Sequence, residues 1–107
     1  MPKPGDLVIV DFPGAMGLKR RPSVVVSSDL YHTERPDVII AVITSNVAAA
    51  AASTDYVLKD WAAAGLRVPS AFRAYFATEL HTSVRKIGRL SDRDWDEVRA
   101  RIRLALS

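Results

Sequence analysis

The chain has 107 residues, with 15 Lys+Arg, 12 Asp+Glu, 2 His and a formal net charge of +3, so one domain over residues 1–107 with a single core is expected. Its 49% hydrophobic and 25% charged residues are an ordinary globular balance, which excludes a disordered chain. The absence of cysteine excludes disulfides, cysteine-ligated zinc and a cysteine nucleophile, and two histidines leave little for a histidine-rich metal site.

The start, Met1-Pro2-Lys3-Pro4-Gly5-Asp6, has no apolar segment of signal-peptide length, and no later run approaches a membrane span. A cytoplasmic protein without a membrane partner is expected. Leu7–Val10, Ser23–Ser27 and Val38–Ile43 are strand-sized, β-branched and bounded by Gly, Pro or Asp, which predicts three buried strands. Tyr56–Leu58 is a weaker fourth. Ala71–Leu80, with partial alternation and three aromatics, predicts a fifth, and Val84–Leu90 a sixth. No long helix separates the early strands, so antiparallel pairing in a strongly bent small barrel or sandwich is expected. Ala48–Ala52 reads as a helical turn or ordered linker. Asp60–Gly65 reads as a short helix capped by Asp60 and stopped by Gly65. The Tyr31-His32-Thr33-Glu34 stretch reads as loop. A C-terminal helix begins at the N-cap Ser91, with Asp92 and Asp94 in its first turn. Trp95, Val98, Ile102, Ala105 and Leu106 form its apolar stripe, and Leu104 sits opposite as an exposed residue or a partner contact.

Two clusters could carry chemistry. Lys19-Arg20-Arg21 ends a loop containing Pro13, Gly14 and Gly17 and precedes the second predicted strand. Guanidinium forks there can hold a phosphate, while the plain alternative is a solvated charge run at a strand edge. Thr44-Ser45-Asn46 surfaces from the third strand, where small polar groups can donate to an anion or simply cap a turn. His32 and His81 are isolated, the acids are scattered, and no metal-ligand spacing, P-loop, dinucleotide fingerprint or nucleophile elbow is present. No metal and no cofactor are expected.

Taken in order, three stretches resemble the MazF/PemK family of toxin endoribonucleases: Gly5-Asp6-Leu-Val-Ile-Val-Asp11-Phe12, Lys19-Arg20-Arg21-Pro22-Ser-Val-Val-Val-Ser-Ser-Asp29, and Val38-Ile-Ile-Ala-Val-Ile-Thr44-Ser45. Asp60-Trp61 through Ala64-Gly65-Leu66 to Pro69-Ser70 resembles the PemK-like branch, and Lys86-Ile87-Gly88-Arg89-Leu90-Ser91 before a final helix also fits. The resemblance implies a mainly β protein with a C-terminal helix, a small SH3-like barrel of antiparallel strands that is usually a homodimer. It also implies metal-independent cleavage of single-stranded RNA, and inhibition by a cognate antitoxin with a partly disordered acidic tail. The family's arginine in its Arg-Pro step maps to Arg21 and its threonine ending the third strand to Thr44. Its first loop maps to Pro13–Arg20. A Gln-x-Arg-Thr segment of many relatives reads Glu79-Leu80-His81-Thr82 here, so an arginine is replaced by His81.

RNA brings its own nucleophile, the ribose 2′-hydroxyl, so such a site needs alignment and charge neutralisation rather than a cysteine, serine or metal. On this reading Arg21 grips the scissile phosphate and Thr44 hydrogen-bonds a phosphate oxygen. Lys19 and Arg20 track flanking phosphates, Phe12 stacks a base or fills the core, and Ser45 or Asn46 reads a base edge. Glu79 or His81 could accept the proton, with Thr82 beside them. The alternatives are a CcdB-like gyrase poison, which uses a tryptophan near the C-terminus, or an inactive binding module on the same fold.

Overall fold

The computed structural model of the chain describes residues 1–14 and 17–107, with the side chains of all of these except 11–14 and 17–19. Six strands form one antiparallel sheet: β1 (Asp6–Gly14), β2 (Gly17–Val25), β3 (Asp37–Thr44), β4 (Tyr56–Val57), β5 (Ala71–Leu80) and β6 (Arg85–Arg89). Their order across the sheet is β4-β5-β3-β2-β1-β6. The sheet curls into a half-barrel closed by α2 (Asp92–Leu106), and a short helix, α1 (Asp29–Glu34), links β2 to β3. The expected mainly β architecture is therefore present.

Side-chain alternation explains why the early strands read as continuous apolar runs. Leu7, Val24, Ala41 and Ile43 point to one face and join Tyr56, Leu58, Phe72, Leu90 and Val98 in the main core. Val8, Val10, Val25, Val38 and Ile40 point to the other and form a second buried cluster with Ala77 and Val84 against it. A strand covered on both faces has no polar side to alternate with.

Several boundaries differ from expectation. Strand β2 starts at Gly17, so Arg20 and Arg21 stand within a strand and not in a loop before it; the pairing Gly14↔Gly17 extends the β1–β2 hairpin through the charged stretch. The stretch read as loop is α1, capped by the Ser28 hydroxyl accepting from the Tyr31 N–H at 3.2 Å. Asp60–Gly65 forms overlapping turns rather than a helix, with Gly65 at φ +101. In α2, Val98 is buried and Trp95 and Ile102 pack on the core, but Ala105 and Leu106 are exposed because the helix outruns the sheet it lies on. Leu104 is exposed as well.

Candidate functional site

The register between β2 and β3 pairs Ser23 with Val42, Val24 with Ala41 and Val25 with Ile40. Continued two residues past Ser23, it sets Arg21 opposite Thr44 on the same face, because strand side chains alternate. The ladder stops short of them. Pro22 has no N–H to donate, and beyond Val42 strand β3 pairs on its other side, with Thr44 against Ala71 of β5. The strands part there, and a cavity of about 280 Å³ opens, lined by Arg21, Val42, Ile43, Thr44, Arg73 and Tyr75. The Thr44 hydroxyl oxygen accepts the Asn46 N–H at 3.1 Å, which leaves its own proton to donate. Arg73 and Tyr75 project from a stretch of β5 that bulges where its pairing with β3 shifts register between Ala41 and Ile43.

Arg21 also lines a second cavity of about 460 Å³, with Arg20, Arg67 and Arg85 around it, Ser45 at its side and Ile9, Leu66 and Ile87 among its apolar walls. Neither cavity has a carboxylate or an imidazole among its described lining residues. Among the described residues, none of Arg21, Arg67, Arg73 and Arg85 is bridged to an acid, whereas Arg89, Arg93, Arg99 and Arg101 elsewhere each are. The two cavities therefore form a cationic surface that meets at Arg21.

The segment carrying Leu66, Arg67 and Val68 is held against β6 by close backbone contact. A Cβ on Gly88 would lie 1.7 Å from the Ala64 carbonyl oxygen, and one on Gly65 would lie 2.5 Å from that of Ile87. Only glycine fits at both positions, and the contact brings Arg67 to the same cavity as Arg85. The segment is also tied to the start of α2. The Arg93 guanidinium donates to both Asp60 carboxylate oxygens at 2.6 Å, and the Ser91 hydroxyl donates to one of them at 2.6 Å. These bonds lower the Asp60 carboxyl from 3.8 to about 2. A folded value below the unfolded one stabilises the fold above about pH 4, and the stabilisation is lost as pH falls through about 2. The melting-temperature gap between wild type and Arg93→Ala is therefore expected to be constant near neutrality and to shrink below pH 4. A gap independent of pH would remove the ion pair from the account.

The sequence-predicted residues fall into separate groups. Arg21 and Thr44 share the smaller cavity, and Arg20 and Ser45 line the larger. Asn46 is exposed and lines neither, its N–H committed to Thr44. Glu79 pairs with Val38 at the far end of β3, six residues from Thr44 or about 20 Å at strand rise. His81 and Thr82 follow in a 3₁₀ turn, where His81 lines a depression with Met1, Pro2, Val84 and Lys86. Within one chain, then, Glu79, His81 and Thr82 are not brought to Arg21. The side chains of Phe12 and Lys19 lie outside the described residues.

Residues 3–106 match the family model of PemK-like, MazF-like toxins of type II toxin–antitoxin systems. The chain belongs to that family. No curated protein matches it. Among solved structures, this PemK/MazF-family chain is similar to an endoribonuclease in complex with its cognate antitoxin from a mycobacterial species, at 15% identity and a TM-score of 0.79 over 99% of this chain and 95% of that one. A MazE–MazF structure from Deinococcus radiodurans is 21% identical, with a TM-score of 0.74 over 99% and 95% of the two chains. The Mycobacterium tuberculosis toxin MazF-mt6 is 20% identical, with a TM-score of 0.75 over 94% of each. At such identities the likeness is one of fold.

Four lining residues of the PemK/MazF-family chain have no motif to announce them: Arg67, Arg73, Tyr75 and Arg85. Arg73 and Tyr75 at i and i+2 of a predicted strand are the only pair with a sequence signal, since that spacing puts both on one face. The other two converge only through the Gly65–Gly88 contact.

Proposed function

We propose that the chain is a toxin that cuts single-stranded RNA without a metal, acting in the cytoplasm as a homodimer and restrained by an antitoxin with an acidic, partly disordered tail. The observation that carries this reading is the cavity shared by Arg21 and Thr44. The mycobacterial neighbour named an endoribonuclease and the Deinococcus MazE–MazF structure support the activity and the antitoxin partner.

In the reaction, the ribose 2′-oxygen bonds to phosphorus as the bond from phosphorus to the 5′-oxygen breaks. The products are a 2′,3′-cyclic phosphate and a 5′-hydroxyl. The Arg21 fork neutralises charge growing on the phosphate oxygens and hydrogen-bonds the departing 5′-oxygen, which takes up a proton from water. Thr44 donates its free O–H to a non-bridging oxygen. With no carboxylate or imidazole among the described lining residues, the 2′-hydroxyl proton leaves to water. Tyr75 offers an open ring face beside the phosphate, being 62% exposed.

Incubation of the purified chain with RNA in the presence of EDTA tests the reading directly. Cyclic-phosphate ends are expected, and intact RNA across a range of sequences would overturn it. A supercoiling assay separates the gyrase-poison alternative; Trp95, packed against the core, is poorly placed to act as an exposed anchor. Thr44→Val keeps the shape and removes the donor, and cutting is expected to fall about tenfold. Undiminished cutting would remove Thr44 from the site.

A further inference from the structure

The larger cavity has features the cutting step does not use. Its rim holds Arg67 and Arg85, drawn from the β4–β5 segment and from β6, with no described acid beside them. Like charges gathered with no counter-charge among the described residues repel one another, and the fold fixes them there through the Gly65–Gly88 contact. Between them lies an apolar surface of Ile9, Leu66 and Ile87, each only half-buried. A cationic rim over an apolar wall fits a ligand with a flat apolar body and an attached anion. The volume of about 460 Å³ suits a single nucleotide, and Arg21 joins this cavity to the one that holds Thr44.

We propose that the larger cavity is the subsite for the nucleotide flanking the cut, its base against Leu66 and Ile87 and its phosphate held by Arg67 and Arg85. The proposal rests on the nuclease reading and adds to it the residues that grip the neighbouring unit of the strand. Arg67 and Arg85 are binding residues, so their removal acts on affinity and on KM, with the cutting step itself left to Arg21.

The test uses a mixed-sequence RNA nonamer carrying 2′-fluoro groups throughout, which lacks the nucleophile and is not cut. Affinity is measured from 50 to 300 mM salt. Arg67→Ala and Arg85→Ala are each expected to weaken binding about tenfold. Each should also flatten the slope of log affinity against log salt by about 0.7, the share of one phosphate on a single strand. Arg67→Lys restores the slope. Arg103→Ala, in the last turn of α2, leaves it unchanged. Thermal unfolding of each variant confirms that the fold is intact. Unchanged slopes in both cavity variants would overturn the subsite, as would equal flattening by Arg103→Ala, which would mean diffuse charge. Loss of affinity for a poly-aspartate peptide with RNA binding intact would hand the cavity to an acidic partner instead. A wild type that cuts RNA while Arg67→Ala and Arg85→Ala both bind normally leaves the nuclease reading standing and the subsite refuted. A wild type that neither binds nor cuts RNA removes both.

Discussion

Arg21→Ala is expected to leave the protein folded and to lower RNA cutting by roughly a hundredfold or more. The two halves of that expectation come from the same geometry. Arg21 is exposed, sits where the β2–β3 ladder has already ended, and has no described carboxylate to abandon. Surface substitutions of that kind shift stability by about 0.5 kcal/mol or less. For the cutting step, by contrast, no other cation among the described residues lines both cavities. Charge on the phosphate oxygens rises in the transition state, so a donor aimed there acts on kcat more than on KM. Arg21→Lys sharpens the test. It keeps the charge and loses the planar fork, so a result between wild type and Arg21→Ala is expected. Cutting at the wild-type rate by a folded Arg21→Ala protein would end the assignment.

How much of this was legible in the sequence depends on whether a signal was local. The β-branched runs between Pro, Gly and Asp mark the strands well, and Ala71–Leu80 is strand over its whole length. Ser91 marks the start of α2 because a cap is a property of adjacent residues. Three local signals were outweighed. The glycines around residues 14–17 suggested a loop, yet β1–β2 pairing carries the strand through Arg20 and Arg21. The Ser28 cap and Asp29 do signal α1, but the helix has only six residues and shows little periodicity. Asp60 looked like a helix cap, while its carboxylate is engaged by Arg93 and Ser91, more than 30 positions away in the chain.

The site divides along the same line. Arg21-Pro22 and Thr44 lie where strands end, and one register relation explains their meeting. Arg67 and Arg85 stand 18 positions apart in the sequence with no shared motif, and what unites them is a backbone approach that only two glycines permit. Glu79 and His81 fail to join the site within one chain for an equally non-local reason. An antiparallel partner of β3 runs away from Thr44, and Ala71 rather than Glu79 is the residue opposite it.

Asp94 shows how far the site depends on residues that never touch it. Its position in the first turn of α2 suggested only a favourable helix dipole, but the side chain is 0% exposed. One oxygen accepts the Tyr56 hydroxyl at 2.7 Å and the Lys59 N–H at 3.1 Å, and the other accepts the Asp60 N–H at 2.8 Å. Burial and this bond push the Tyr56 phenol well above its usual range. A single carboxylate thus fastens β4 and the start of the Arg67-bearing segment to α2. Asp94→Ala strands three donors, one buried and two part-buried, at about 1 kcal/mol each, so a loss of about 3 kcal/mol and a fall in Tm of about 10 °C or more are expected. Asp94→Asn retains one carbonyl acceptor and should fall between the two. An Asp94→Ala protein melting within about 2 °C of wild type would show that the three bonds carry no net stability. Below its melting point, Asp94→Ala should also bind the 2′-fluoro nonamer with a flatter salt slope, as Arg67 loses its fixed position, while an Arg21-dependent cutting step persists. That split separates the anchor from the chemistry, because loss of the fold as a whole would abolish both together.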